Sequence, residues 1–144
     1  MKLHYAALLL LITPLFTSYA QNDTTKITVQ NQELYLTTVI GYPILGTYLY
    51  DGEGEPIVQL NANGTGIFQL KNLTKNNINW GIESNDKGYP KYKEGFNSAA
   101  YTLWYKNNDD SNNNWTATQF SIHYDKKKIF IAGERSKEYQ EEIK

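Results

Sequence analysis

Residues 77–83 alternate without a break. Ile78, Trp80 and Ile82 fall on one face, and Asn77, Asn79 and Glu83 fall on the other. A period of two marks a β-strand with one buried and one wet face, because successive side chains of a strand point to opposite sides. The pattern recurs. Residues 116–124 set Thr118, Phe120, Ile122 and Tyr124 inward and Gln119, Ser121 and His123 outward. Residues 99–105 oppose Tyr101, Leu103 and Tyr105 to Thr102 and Trp104. Strands repeated in this way must share one apolar core, so the fold class is all-β.

Turn residues divide these runs. Asp51-Gly52 and Gly54 precede Pro56 to Leu60, and Asn63-Gly64 lies between Leu60 and Ile67-Phe68. Asn-Gly is a strong hairpin signal, since both residues tolerate positive φ. Asp125 to Lys127 turns the chain into Lys128 to Ala132. Seven strands are expected, near 46–51, 56–60, 65–70, 77–84, 99–106, 116–124 and 128–133. Their short connections predict an antiparallel up-and-down β-barrel or strongly curved meander of about 7–8 strands. Residues 27–40 suit an extra strand or a short helix over one barrel end. The charged residues 134–144 suit a short exposed helix or a frayed tail. The long loops are 85–98 and 107–115, and Asn107 to Asn114 contains no apolar residue.

The first twenty residues carry an export layout. Lys2 and His4 precede the apolar run Tyr5 to Phe16, and Ser18 and Ala20 are small at the two positions a signal peptidase reads. Pro14 interrupts the run, which is shorter than the ~20 residues a bilayer span requires. Cleavage is expected near Ala20, leaving an exported chain, periplasmic or secreted, that starts at Gln21. The resulting organisation is a signal peptide at 1–20, an N-terminal extension at 21–45, a β domain at 46–135 and a charged C-terminal tail at 136–144. No later segment is expected to form a stable membrane span.

Composition removes several function classes. The chain has no cysteine, so neither disulfides nor thiolate metal sites are available. His123 is the only histidine outside the export segment, so imidazole-based zinc or copper sites within one chain are not expected. Asp51, Glu53, Glu55 and the pair Asp109-Asp110 lack the spacing of a calcium loop and read as solvated turns. Charge is near balance, with 14 basic and 15 acidic residues in the whole chain, so a nucleic-acid partner is not expected. Lys126-Lys127-Lys128, the one basic run, reads as a solvated hairpin turn.

Gly46-Thr47-Tyr48, then Leu60-Asn61-Ala62-Asn63-Gly64-Thr65-Gly66-Ile67-Phe68, then Ile78-Asn79-Trp80 follow one another in a familiar order. This order resembles the small lipocalin-like domains of exported bacterial proteins, most closely over residues 46–84. Tyr48 stands where that pattern has Trp. The resemblance implies that a basic residue near the last strand, here Arg135, packs over Tyr48. It implies no single activity, because such domains carry many.

Catalytic signatures are weak. His123 lies at an outward strand position between Ser121 and Asp125, where a side chain is usually wet. There is no Gly-x-Ser-x-Gly elbow, and nothing singles out a carboxylate pair among Glu83, Glu94 and Glu134. No catalytic residue, metal or cofactor is therefore assigned, and the protein is read as a non-catalytic binding or accessory protein. The chain is instead dense in Tyr and Trp. One reading places a small apolar or amphipathic ligand inside the barrel. Trp80, Leu103 and Phe120 then belong to the wall, and Tyr89, Tyr92 and Phe96 to a lid formed by loop 85–98. The alternative is a filled barrel, as side chains fill small barrels, that acts as an interaction module for another envelope protein.

Overall fold

The seven strands read from alternation and turns all form, and four more join them. A computed structural model describes residues 23–50, 56–69, 72–109, 111, 114–125, 128–131 and 134–140. It contains β1 (Thr25–Val29), β2 (Gln32–Thr37), β3 (Gly46–Tyr50), β4 (Pro56–Leu60), β5 (Thr65–Gln69), β6 (Lys75–Ser84), β7 (Tyr92–Gly95), β8 (Ser98–Asn107), β9 (Thr116–His123), β10 (Lys128–Ile131) and β11 (Glu134–Gln140). No helix occurs among the described residues, and every strand pairing is antiparallel.

The pairings run from β3 through β4, β5, β6, β8, β9, β10 and β11, and β11 returns to β3. The sheet is thereby curled into an up-and-down barrel in which these strands have neighbours on both sides. Closure leaves no open edge within the circuit, and β1 and β7 are the edge strands of the sheet. The β1–β2 hairpin lies outside this circuit. It pairs with the last part of β6, with Tyr35 opposite Ser84 and Thr37 opposite Ile82. β7 continues along the edge of β8 where β6 leaves it, with Tyr92 opposite Tyr101 and Gly95 opposite Ser98.

Several expectations need correction. Residues 134–140 form a strand, not a helix or a tail. Their Lys- and Glu-rich composition favours a helix only weakly, whereas β10 and β3 each present an edge of unpaired N–H and C=O groups for β11 to fill. Of the two alternatives for residues 27–40, the strand is the one that forms. The β1–β2 turn is built by Gln30 and Asn31 at φ 48° and 65°, a pair of left-handed residues that suits a two-residue hairpin. The expected loop 85–98 contains β7 and a tight hairpin into β8. Tyr124 does not point inward. β9 ends at His123, and Tyr124 is exposed. The packing of Arg135 and the export segment 1–20 fall outside the described side chains and residues. The backbone does place the strand that carries Tyr48 beside the strand that carries Arg135.

The core follows the alternation. Ile78, Trp80 and Ile82 of β6 are buried together with Tyr101 and Leu103 of β8 and Phe120 and Ile122 of β9. On β4, the neighbours Ile57 and Val58 are both buried although they are consecutive. The register slips there, with Tyr48 opposite Val58 but Leu49 opposite Pro56. A bulge of this kind turns two successive side chains toward one face, which explains the double burial. Residues 38–45 cross one barrel end and insert Ile44 into the core. Tyr48 donates its hydroxyl proton to the Ile44 carbonyl, so the crossing segment is fixed to the first barrel strand.

Candidate functional site

Trp80, Leu103 and Phe120, read from the sequence as ligand walls, face the barrel interior at 3%, 0% and 0% exposure. Their neighbours occupy the space between them. Tyr48 meets Phe120 edge-on at 6.1 Å, and Tyr101 meets the same ring at 6.4 Å. Tyr105 stacks on Phe68 at 5.3 Å, with the planes 9° apart. The Trp80 indole N–H donates to the carbonyls of Thr65 (2.9 Å) and Asn61 (3.2 Å). A buried indole needs such a partner, and here the bonds tie β6 to the β4–β5 turn. That turn has the shape its sequence calls for, with Gly64 at φ 77° and the Asn63 carboxamide oxygen accepting the Thr65 N–H at 3.1 Å.

The three residues read as a lid lie elsewhere. Tyr89, Tyr92 and Phe96 are exposed, Phe96 at 95%. Phe96 occupies the two-residue turn between β7 and β8. The turn is held firmly. Asn97 adopts φ 51°, its side-chain amide donates to Asp125 at 2.7 Å, and its carbonyl accepts the Tyr124 N–H at 3.0 Å. Tyr92 packs against Tyr101 at 5.4 Å, and Tyr124 packs edge-on against Tyr42 at 5.5 Å. Tyr101 also hydrogen-bonds Tyr124, and burial followed by this bond pushes the Tyr101 phenol above the ordinary tyrosine range. Tyr92, Tyr42 and Tyr124 thus meet around Tyr101 in one aromatic rim, and Phe96 stands clear of it on the adjoining turn. The sequence carried only part of this signal. Tyr42 and Tyr124 enter the rim through the crossing segment and the early end of β9, which alternation alone does not reveal.

The outer wall behind β6 and β8 is ordered by Glu83. Its carboxylate accepts from the Lys91 ammonium at 3.1 Å and from the Trp104 indole N–H at 3.1 Å. Trp104 faces outward as the alternation requires and finds a charged partner there. His123 is half-buried, with Phe130 edge-on at 5.2 Å. The groups of a serine triad have separate partners: Ser121 accepts from Gln119 at 2.8 Å, and Asp125 accepts from Asn97.

A cleft of about 490 Å³ lies between Thr25–Thr28 of β1 and the barrel wall, with Asn63, Asn79, Lys106 and Trp115 among its lining residues. A smaller one of about 170 Å³ shares Thr25, Asn63, Gly64 and Trp80 with it and is bounded by Asp23 and Leu36. The Lys106 ammonium lies 5.5 Å from the centre of the Trp115 ring.

No family model, curated protein or solved structure matches the chain.

Proposed function

We propose that this chain is an exported, non-catalytic interaction module with a filled barrel, and that it docks on another envelope protein through its aromatic rim. One observation carries the reading. Phe96 is almost wholly exposed on a turn that is pinned through Asn97 to Asp125 and Tyr124. A large apolar side chain carried on a fixed backbone leaves only its own rotamer to be ordered when it enters a partner's pocket. Tyr92, packed beside Tyr101, adds a ring with an apolar body and a polar tip.

The packed interior supports docking from outside over a ligand within. Tyr48, Phe120, Leu103 and Ile122 are fully buried against one another's strands. The export layout of residues 1–20, with Ser18 and Ala20 at its end, supports an envelope location. The resemblance of residues 46–84 to exported lipocalin-like domains agrees with it.

The test uses the full-length gene in a bacterial host. A photo-crosslinking amino acid is placed at Phe96 and, as a control, at the exposed Lys75. The protein captured at position 96 is then purified and its affinity measured for the wild type and for Phe96→Ala. A loss of about 30-fold or more is expected for a central anchor residue. Equal affinity overturns the reading. So does Phe96-dependent binding to phosphatidylglycerol vesicles with no protein captured, or a stoichiometric small molecule released on denaturing the native protein.

A further inference from the structure

We propose that the cleft between β1 and the barrel wall is a binding site for a neutral saccharide, separate from the aromatic rim. The two surfaces share no residue. The volume of about 490 Å³ lies within the ~300–1,000 Å³ usual for small-ligand sites.

The chemistry of the lining selects the ligand. Asn79 and Thr25 border the cleft from its two walls, and Thr25 shares the face of β1 that carries the buried Ile27 and so turns toward the barrel. A carboxamide and a hydroxyl supply donors and acceptors together, which is what vicinal sugar hydroxyls require. Trp115 adds a flat apolar surface, suited to the C–H face of a pyranose ring. The cations of the cleft are already answered. Lys26 pairs with Glu33 at 2.5 Å, and the Lys106 ammonium is set against the Trp115 ring. A neutral ligand therefore fits better than an anionic one.

The walls are built to keep their spacing. Leu36 seats the β1–β2 hairpin against Gly81 of β6, and the Thr38 hydroxyl donates to the Ala62 carbonyl at 3.0 Å. β1 is thus held at a fixed distance from the barrel, so the cleft is formed before a ligand arrives and little ordering cost remains.

The experiment is an NMR titration of the ¹⁵N-labelled mature chain with cellobiose, maltose and N,N′-diacetylchitobiose, with glucuronic acid as the charged control. The chain has three tryptophans, so the indole N–H region holds three signals. The Trp115 signal is expected to move and saturate with at least one neutral disaccharide, at a Kd of ~0.1–5 mM. The Trp104 signal, tied to Glu83 outside the cleft, is expected to stay still. Asn79→Ala is expected to weaken binding about fivefold or more, the usual effect of losing a ligand hydrogen bond. Thr25→Val serves as a second variant on the opposite wall. The proposal is overturned by the absence of a Trp115 shift with all three disaccharides at ~50 mM. It is also overturned by a response to glucuronic acid alone, or by unchanged affinity in both variants.

Discussion

Leu36 rests on Gly81. A Cβ built on Gly81 would lie 2.7 Å from the Leu36 Cβ, closer than two carbon atoms can approach. Leu36 is 2% exposed, and it is the main apolar anchor of β2. The absence of a side chain at position 81 thus lets the N-terminal hairpin lie against the barrel wall. Replacing Gly81 with Ala forces Leu36 away and is expected to cost ~1–3 kcal/mol, the range for overpacking. The damage should be local. Hydrogen exchange should rise in residues 25–37 while the amides of β8 and β9 keep their protection. Uniform loss of protection would show that the hairpin is part of the cooperative core.

Trp80→Ala is expected to lower stability by ~3–5 kcal/mol, because a large ring is removed from a site with little room to collapse. Trp80→Phe separates packing from polarity. It keeps a ring and deletes the indole N–H that donates to Asn61 and Thr65. Those carbonyls also accept the Gly64 and Asn61 N–H groups, so they remain partly satisfied. The loss for Phe should therefore be smaller, ~1–2 kcal/mol. Urea unfolding followed through Trp104 and Trp115 fluorescence measures both. An unchanged midpoint for the Ala variant would contradict the assigned facing of β6.

The strands that were legible share a property the others lack. Ile78, Trp80 and Ile82, or Tyr101 and Leu103, alternate with polar residues because one strand face meets the core and the other meets water. β7 (Tyr92–Gly95) has four exposed residues, so no periodicity records it. β1 buries only Ile27 among its strand residues, and its turn uses Gln30 and Asn31 with no glycine to mark it. β11 reads as a charged helix or tail, and only the demand of β3 and β10 for hydrogen-bond partners makes it a strand. Tertiary pairing of this kind overrides local preference. The site was legible to the same degree. Phe96, Tyr89 and Tyr92 were marked by their place outside the alternation, whereas Asn79 and Lys106 meet only through the β6–β8 register, and β1 must fold beside them to make a cleft.

The Tyr101 phenol links stability to high pH. Burial is the larger cause of its raised pKa, and the hydrogen bond to Tyr124 adds to it. In the unfolded chain this phenol loses its proton near the ordinary value of 10.0. The native state holds the proton to higher pH, so above that value the native state binds more protons than the unfolded one. Stability from this residue is therefore full below pH ~10 and falls as the pH rises further. Thermal unfolding between pH 8 and pH 11 should show a decline for the wild type that is shallower in Tyr101→Phe. Equal slopes would place the alkaline response on other tyrosines.

Changing Tyr89, Tyr92 and Phe96 together to Ser separates the two roles an exposed aromatic can have. Phe96 is 95% exposed and should contribute under ~0.5 kcal/mol to folding, as surface positions usually do. Tyr92 covers Tyr101 and should contribute more, because edge and offset ring pairs are worth ~0.5–1.5 kcal/mol beyond area burial. The triple variant is thus expected to lose about 1–2 kcal/mol and remain folded. Its complex with the partner captured at position 96 should be lost. The single variant Phe96→Ser should keep wild-type stability and still lose most of the affinity, since its ring is the one held clear of the barrel. Retained affinity with reduced stability would instead make the three rings packing for the hairpin, and the docking surface would have to be sought elsewhere on the barrel.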